Sequence, residues 1–179
     1  MTANTTDDRP DTAAIDSLTD PTALRDWSGV PFHEDTDTVP AETFDAIRAA
    51  DDMAPVGVTT DGGETLVMRV TADCSWKIPA SNVTPEQAFA DAAREWVRQN
   101  TGVPIGIDGI AGVWRLAVRP DDGEGTATRH FVVFEASPAT DGVPPVPVDD
   151  GPERAREAGW FEELPEGGDR VPGTDLFLD

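Results

Sequence analysis

Side chains that could take part in chemistry are concentrated in residues 84–100, where acidic, amide and aromatic residues recur at helical spacing. Glu86 and Glu95 supply carboxylates, whereas Trp96, Gln99 and Asn100 lie at i, i+3 and i+4 and share one helical face. An amide oxygen can coordinate a hard cation such as Mg²⁺, but it brings no charge. This face therefore carries an indole and two neutral amides.

The helix that would position these side chains is marked at both ends. Thr84 is a typical N-cap residue, Pro85 suits the first helical position, and Gln87 can close a capping box. Gly102 is a typical helix stop. The residues between them that recur at helical spacing form one apolar face: Phe89, Ala92, Ala93, Trp96 and Val97.

Strand patterns lie on both sides of this helix. Residues 55–60 and 64–70 flank Asp61-Gly62-Gly63, which is a hairpin signal. Two longer antiparallel strands are predicted over residues 104–118, with a Gly-marked break, and over residues 128–136. Strands around one central helix predict an α/β fold with a mixed sheet. The shorter predicted elements are a helix at 40–50, a strand at 75–78, a loop at 79–83, a surface loop at 138–152 and a helical turn at 162–165.

The composition divides the chain into four parts. Residues 1–20 are polar and acidic, and we predict a disordered tail because they can bury little apolar surface. Residues 21–54 are predicted to form a helical extension, residues 55–168 the main domain, and residues 169–179 a C-terminal tail. The sequence has no run long enough to span a membrane and no signal peptide, so the cytoplasm is the expected location and no membrane partner is expected.

Acidic residues dominate the charge. The chain has 35 Asp plus Glu against 13 Lys plus Arg, a formal net charge of −22, and Lys77 is its one lysine. Repulsion of this size is costly at low salt and is screened within about 3 Å at 1 M salt. We predict a halophilic protein of haloarchaeal type, the alternative being an acidic protein with disordered tails. The charge argues against nucleic acid as a partner, and the single cysteine, Cys74, excludes an internal disulfide.

The order of strand, Pro-containing loop, capped helix and Thr-Gly stop in residues 76–103 resembles the loop-helix signature of Nudix hydrolases. That signature is written G-x5-E-x7-R-E-U-x-E-E-x-G-U, where U is aliphatic. Pro79 falls on the proline that commonly precedes it, and Thr101-Gly102-Val103 falls on its end. Residues 159–165 resemble the family's later Trp-Phe and acidic Leu-Pro segment. The resemblance covers residues 55–165 and implies a Nudix-like α/β/α sandwich.

The resemblance also implies a chemistry. In active family members, helix glutamates hold a divalent metal that bridges a substrate diphosphate and helps to activate water. Aligned without gaps, Gln87 replaces the first glutamate, Glu95 the arginine and Trp96 the next glutamate, while Gln99 and Asn100 replace the paired glutamates. The implied domain keeps the scaffold but has lost or weakened catalysis, and it would need Mg²⁺ or Mn²⁺ only if activity remains.

A second alignment keeps Arg94-Glu95 on the Arg-Glu pair, eight residues after Glu86. Glu86 and Glu95 are then residual acids, but Arg98 and Gln99 take the positions of the paired glutamates. This alignment needs one extra residue before the Thr-Gly stop. The paired-glutamate centre survives in neither alignment.

Two functions therefore stay open. The first is a degenerate Nudix domain that binds a nucleoside-diphosphate derivative or a partner, or that has a structural role. The second is an active Mg²⁺-dependent hydrolase that cleaves a diphosphate linkage with Glu86, Glu95 and a loop acid such as Glu162 or Glu163. The sequence does not indicate an oligomeric state. Three arginines on or near the long strands could contact a diphosphate, or could be ordinary counter-charges: Arg115, Arg119 and Arg129.

Overall fold

The computed structural model describes residues 11–71, 73–140 and 157–179. None of the helices in these ranges is long and apolar enough to cross a membrane. The elements follow one another as α1 (Thr12–Asp16), a 3-10 helix (Pro21–Asp26), β1 (Phe32–Val39), α2 (Ala41–Ala49), β2 (Asp52–Val58), β3 (Thr65–Arg69), β4 (Ala80–Val83), α3 (Phe89–Thr101), β5 (Ile105–Pro120), β6 (Ala127–Pro138), β7 (Glu157–Phe161) and a second 3-10 helix (Thr174–Leu176).

A five-stranded sheet in the order β1-β5-β6-β2-β4 forms the centre of the fold. β5 and β6 are antiparallel, as predicted, and run from Ile105 opposite Pro138 to Val118 opposite Ala127. β1 joins β5 in parallel, β2 joins β6 in parallel, and β4 is antiparallel to β2. The predicted α/β class with a mixed sheet is therefore confirmed. The predicted break within residues 104–118 is wrong, because β5 continues through two register shifts between Ile107 and Gly112.

Helices cover both faces of this sheet. On one face, α3 packs in the main core, which includes the cross-strand pair Val113 and Val132. On the other face, Phe44 of α2 packs with Val118 and Ala127, which also form a cross-strand pair. The two pairs are five residues apart along each strand, and side chains alternate between faces, so the pairs project in opposite directions.

A smaller sheet and the C-terminal residues complete the described fold. β3 and β7 form an antiparallel pair, and Val67, Ile78 and Leu178 make a separate small core beside it. Thr65 donates its hydroxyl to the carbonyl of Phe177 at 3.3 Å. The ring of Phe177 covers Gly57 so closely that a Cβ there would lie 2.4 Å from it. The C-terminal residues are therefore packed against the sheet.

The helix of the Nudix-like stretch begins later than predicted. α3 starts at Phe89 with Ala88 as the N-cap, and no side chain caps it. Residues 84–87 form a turn instead, in which Gln87 N donates to the Thr84 carbonyl at 3.0 Å and Thr84 N donates to Gln87 Oε1 at 3.5 Å. The contact from Gln87 Oε1 back to Thr84 N, which was predicted to cap the helix, therefore closes a turn before it. The backbone N–H of Phe89 is satisfied by the carbonyl of Leu18 at 3.0 Å, outside the local sequence.

Three further predictions of local structure are also wrong. Residues 80–83, predicted as loop, form β4, because Ala80 and Val83 are buried as β4 pairs with β2. The strand predicted at residues 75–78 is reduced to one bridge between Met68 and Lys77. Residues 162–165 begin with a bend and do not form the predicted helical turn.

The described part of the predicted N-terminal tail is folded. Residues 11–20 contain α1, and Ile15 and Leu18 are buried in the main core. Arg94 of α3 donates to Asp16 at 2.5 Å, which ties α1 to the helix. Two well-placed apolar residues thus anchor a segment whose average composition suggested disorder. Residues 1–10, and residues 141–152 of the predicted surface loop, lie outside the described ranges.

Candidate functional site

The candidate residues on α3 lie in two different environments. Asn100 faces the core and is 3% exposed, and Trp96 is half-buried. Glu95 and Gln99 are exposed to solvent. The helix ends at Gly102, whose φ of 73° is left-handed and favours glycine. The predicted stop is therefore confirmed, but the polar positions do not point to a common centre.

Both amide groups are engaged within the helix. Asn100 Nδ2 donates to the Trp96 carbonyl at 2.8 Å, and Gln99 Nε2 donates to Glu95 Oε1 at 3.0 Å. Asn100 Oδ1 is buried and accepts no hydrogen bond from the described residues. A flipped Asn100 amide would place two carbonyl oxygens against each other, so the donor contact fixes its orientation. A buried amide oxygen without a donor generally destabilises a folded protein by about 1–3 kcal/mol.

These residues do not fit the divalent metal that the Nudix resemblance implies. Magnesium requires an octahedron of hard oxygen ligands, usually with one or two carboxylates. The α3 face instead offers Trp96 and two neutral amides, while Glu86 and Glu95 are exposed. In the ranges that the structure describes, which include Glu162 and Glu163, no three His, Cys, Asp or Glu residues are grouped as a metal site.

The three candidate arginines do not converge. Arg115 lies opposite His130 in the β5–β6 ladder, whereas Arg129 lies opposite Leu116. Neighbouring positions alternate between faces, so Arg115 and Arg129 project from opposite faces of the sheet. Arg119 is exposed near the end of β5, four residues beyond Arg115. A diphosphate could not contact all three arginines at once.

The contacts of Arg129 give it a structural role. Its Nε donates to the carbonyl of Asp51 at 2.7 Å, and its guanidinium lies 5.2 Å from the centroid of the Phe131 ring. Burial lowers the pKa of Arg129, and the negative charges of Asp52 and Asp51 oppose this shift. The side chain thus links the start of β2 to β6.

A cavity that the sequence did not predict lies between the segments that follow α1 and α2 and the turn at residues 84–87 that precedes α3. Its volume is about 460 Å³. The local sequence feature that could have indicated this cavity is the acidic pair Asp51-Asp52, which lies between a predicted helix and a predicted strand. The fold brings Asp52 to His130, 78 residues away, and no local pattern reports that contact. The cavity is lined by Thr19, Asp20, Pro21, Ala50, Asp51, Asp52, Val83, Thr84, Pro85 and Phe89.

Hydrogen bonds hold two of the cavity's carboxylates. The backbone N–H of His130 donates to Asp52 Oδ1 at 2.8 Å, and His130 Nδ1 lies 3.6 Å from the same oxygen. Burial raises the pKa of Asp52, but the hydrogen bonds and charge of His130, with the charge of Arg129, outweigh it and lower the pKa. Asp20 has a lowered pKa because Thr22 donates to it from its hydroxyl at 2.6 Å and its backbone N–H at 3.0 Å.

This charge distribution limits what the cavity can bind. The carboxylates of Asp20, Asp51 and Asp52 repel phosphate groups, so the cavity suits hydrogen-bond donors or cations better than a diphosphate. It is therefore not the diphosphate site that the Nudix resemblance implies.

No protein-family profile and no curated protein sequence matches this chain. Among solved structures, it is similar to the MutT Nudix hydrolase from Burkholderia pseudomallei, with 18% identity, 72% of this chain and 95% of that chain covered, and a TM-score of 0.47. It is also similar to the Bacillus subtilis pyrophosphohydrolase, with 20% identity, coverage of 66% and 67%, and a TM-score of 0.41. For the MutT protein from Methanosarcina mazei, the identity is 16%, the coverage 74% and 78%, and the TM-score 0.41.

Proposed function

We propose that this chain is a Nudix-like domain that has lost metal-dependent diphosphate hydrolysis and acts as a binding or structural domain. The candidate ligand class, carried over from the Nudix resemblance, is a nucleoside-diphosphate derivative. The order of loop, helix and Gly102 stop supports the Nudix-like assignment. The proposed setting is a salt-rich cytoplasm, for which the motivation is the excess of acidic residues and the single lysine.

The single observation that carries the proposal is the state of the three side chains on which the gapless alignment places the signature's metal ligands. Trp96 brings no oxygen ligand, and the amide of Gln99 donates to Glu95. Asn100 donates to the backbone and retains one neutral, buried oxygen. The gapless alignment therefore leaves no charged ligand where three carboxylates would be required.

The size of this loss is large compared with ordinary binding energies. One unit charge at about 4 Å contributes roughly 4 kcal/mol at an effective dielectric constant near 20, and more against a dication. Three missing charges therefore remove tight binding of Mg²⁺. Trp96 also fills space that the hydrated ion would need.

Turnover assays test the proposal directly. The wild-type protein is incubated with a panel of nucleoside-diphosphate derivatives and Mg²⁺ or Mn²⁺ in molar KCl. We expect hydrolysis no faster than in the protein-free control, and the same result for Glu95→Gln. Turnover that Glu95→Gln abolishes would support the competing hydrolase and overturn the proposed loss of catalysis.

Thermal unfolding with the same compounds separates a binding role from a structural one. A ligand at 100 times its Kd stabilises the folded state by about 2.7 kcal/mol. We expect any such stabilisation to be unchanged when EDTA removes divalent metal. Stabilisation that requires Mg²⁺ would contradict the proposal, whereas no stabilisation by any compound would favour the structural role.

A further inference from the structure

β1 occupies an unusual position for a parallel strand. It is the terminal strand of the five-stranded sheet in the described structure, and it pairs in parallel with β5 alone. Residues 33–38 are exposed, so no element in the described ranges covers either face of the strand along most of its length. Parallel strands are normally buried under helices on both faces, and exposed sheet edges are normally shortened or blocked. An eight-residue parallel edge strand that is open on both faces is therefore a candidate interaction surface.

The backbone groups that point away from the sheet can be assigned from the hydrogen bonds. The carbonyls of Pro31 and Val39 accept from the backbone N–H groups of Val113 and Asp121, both at 2.9 Å. The β1–β5 register between them is uninterrupted, so odd-numbered residues of β1 bond to β5. Even-numbered residues therefore turn their N–H and C=O groups outward, and Thr36 lies at the middle of this row.

The side chains along the edge are acidic and exposed. Asp35 and Asp37 lie on one face of the strand and Glu34 on the other. Glu34 already forms an ion pair with Arg25, whose guanidinium lies 4.9 Å from the Phe32 ring centroid. A guanidinium from within the chain thus shows how a basic side chain is held beside this strand.

We propose that the outer edge of β1 binds an extended, Arg- or Lys-rich segment of a partner protein, which adds to the sheet as a further strand. The outward backbone groups of Glu34 and Thr36 supply the ladder hydrogen bonds, and main-chain bonding of this kind gives affinity in strand addition. Asp35 and Asp37 select basic side chains on one face. On the other face, a second basic side chain extends the pair of Glu34 and Arg25.

The same residues argue against a second copy of this chain as the occupant. In a two-fold antiparallel pairing centred on Thr36, Asp35 of each copy would lie directly opposite Asp37 of the other. Like charges directly opposite each other on neighbouring strands are destabilising. The outward amide of Thr38 is unavailable to any added strand, because Thr38 N donates to Asp37 Oδ1 at 2.8 Å, so the ladder is confined to Glu34 and Thr36. A basic strand relieves the repulsion that an acidic one would increase.

Peptide binding tests the proposal with a backbone-specific variant. The probe is a short fluorescent peptide in which Arg alternates with Val and Thr, titrated into the full chain at the lowest KCl concentration that keeps it folded. We expect Thr36→Pro, which removes one outward N–H without touching the bonds to β5, to weaken binding by about tenfold or more. Thr36→Val keeps the N–H and is expected to bind like the wild type.

Two further measurements keep the test decisive if Thr36→Pro fails to fold. A probe that is N-methylated along one edge is expected to lose binding to the unmodified protein. Asp35→Asn with Asp37→Asn is expected to weaken binding and to flatten its dependence on KCl. The proposal is overturned if the wild type does not bind the probe, or if the methylated probe binds equally well. Sedimentation that shows self-association lost in Thr36→Pro would also overturn it, in favour of a second copy.

Discussion

Changing Asn100 to Asp tests the state of the Nudix-like helix most sharply. The two side chains have nearly the same shape, so packing is preserved while one amide becomes a carboxyl group. The site is 3% exposed, and Asn100 Nδ2 donates to the Trp96 carbonyl at 2.8 Å. A carboxylate would lose this donor and place a negative oxygen against a carbonyl. A protonated carboxyl group could still donate to it.

The expected cost follows from burial. Full burial can raise the pKa of a carboxyl group by several units, and each unit corresponds to about 1.4 kcal/mol. A rise of about two to three units predicts a loss of about 3–4 kcal/mol at pH 7 for Asn100→Asp. Because the folded pKa would lie above the unfolded one, this penalty is absent below about pH 4, grows through the interval between the two values, and is constant above it.

Urea denaturation of both proteins in molar KCl between pH 5 and pH 8 measures this cost. Gln99→Glu is the matched control, since it adds a carboxylate at the neighbouring exposed position and is expected to change the free energy of unfolding by no more than about 0.5 kcal/mol. Millimolar Mg²⁺ is expected not to raise the free energy of unfolding of Asn100→Asp. If the variant is as stable as the wild type at pH 7, or if Mg²⁺ restores it, Asn100 occupies a position fit for metal and the proposed loss of chemistry is wrong.

Three other outcomes are expected. Asp52→Ala should lower the free energy of unfolding by about 1–2 kcal/mol at pH 7, because the backbone N–H of His130 loses its acceptor. Since the folded pKa of Asp52 is lowered, the difference from wild type should shrink as the pH falls below about 4. Urea unfolding of both proteins at pH 7 and pH 3 measures this difference. Gly57→Ala should displace Phe177 and lower the thermal midpoint, whereas Gly106→Ala, where a Cβ meets nothing within 4 Å, should not. The far-ultraviolet circular dichroism of the wild type should show loss of fold from molar KCl to dilute buffer, and an unchanged spectrum would remove the halophilic prediction.

The elements that the sequence predicted well are those encoded by local pattern. The β5–β6 pair follows from two apolar stretches around a Gly-rich loop, and α2 follows from its own periodicity. The helix stop at Gly102 needs only the backbone freedom of glycine. The helical pattern also placed residues 96, 99 and 100 in one helix, which α3 contains.

What the sequence could not predict depends on partners distant in the chain. β1 carries no alternating apolar residues, because it is an edge strand whose structure comes from β5. The first N–H of α3 donates to the carbonyl of Leu18, and Asp52 in the cavity lining accepts from the backbone N–H of His130. The opposite orientations of Arg115 and Arg129 follow from the β5–β6 register, in which Arg115 lies opposite His130 and Leu116 opposite Arg129. Composition and residue spacing do not indicate these tertiary contacts.

The strand order also decides when the sheet can form during synthesis. β1 has no neighbour in the five-stranded sheet other than β5, and β2 must wait for β6 to complete its pairing. The β5–β6 ladder closes across the short interval between Val118 and Ala127, so it can form quickly and act as the template that collects the earlier strands. At roughly 5–20 residues per second, β1 leaves the ribosome seconds before that template exists. β1 therefore spends that interval without its partner strand, although β2 can already pair with β4, and the last large strand of the sheet to be made determines when the first one folds.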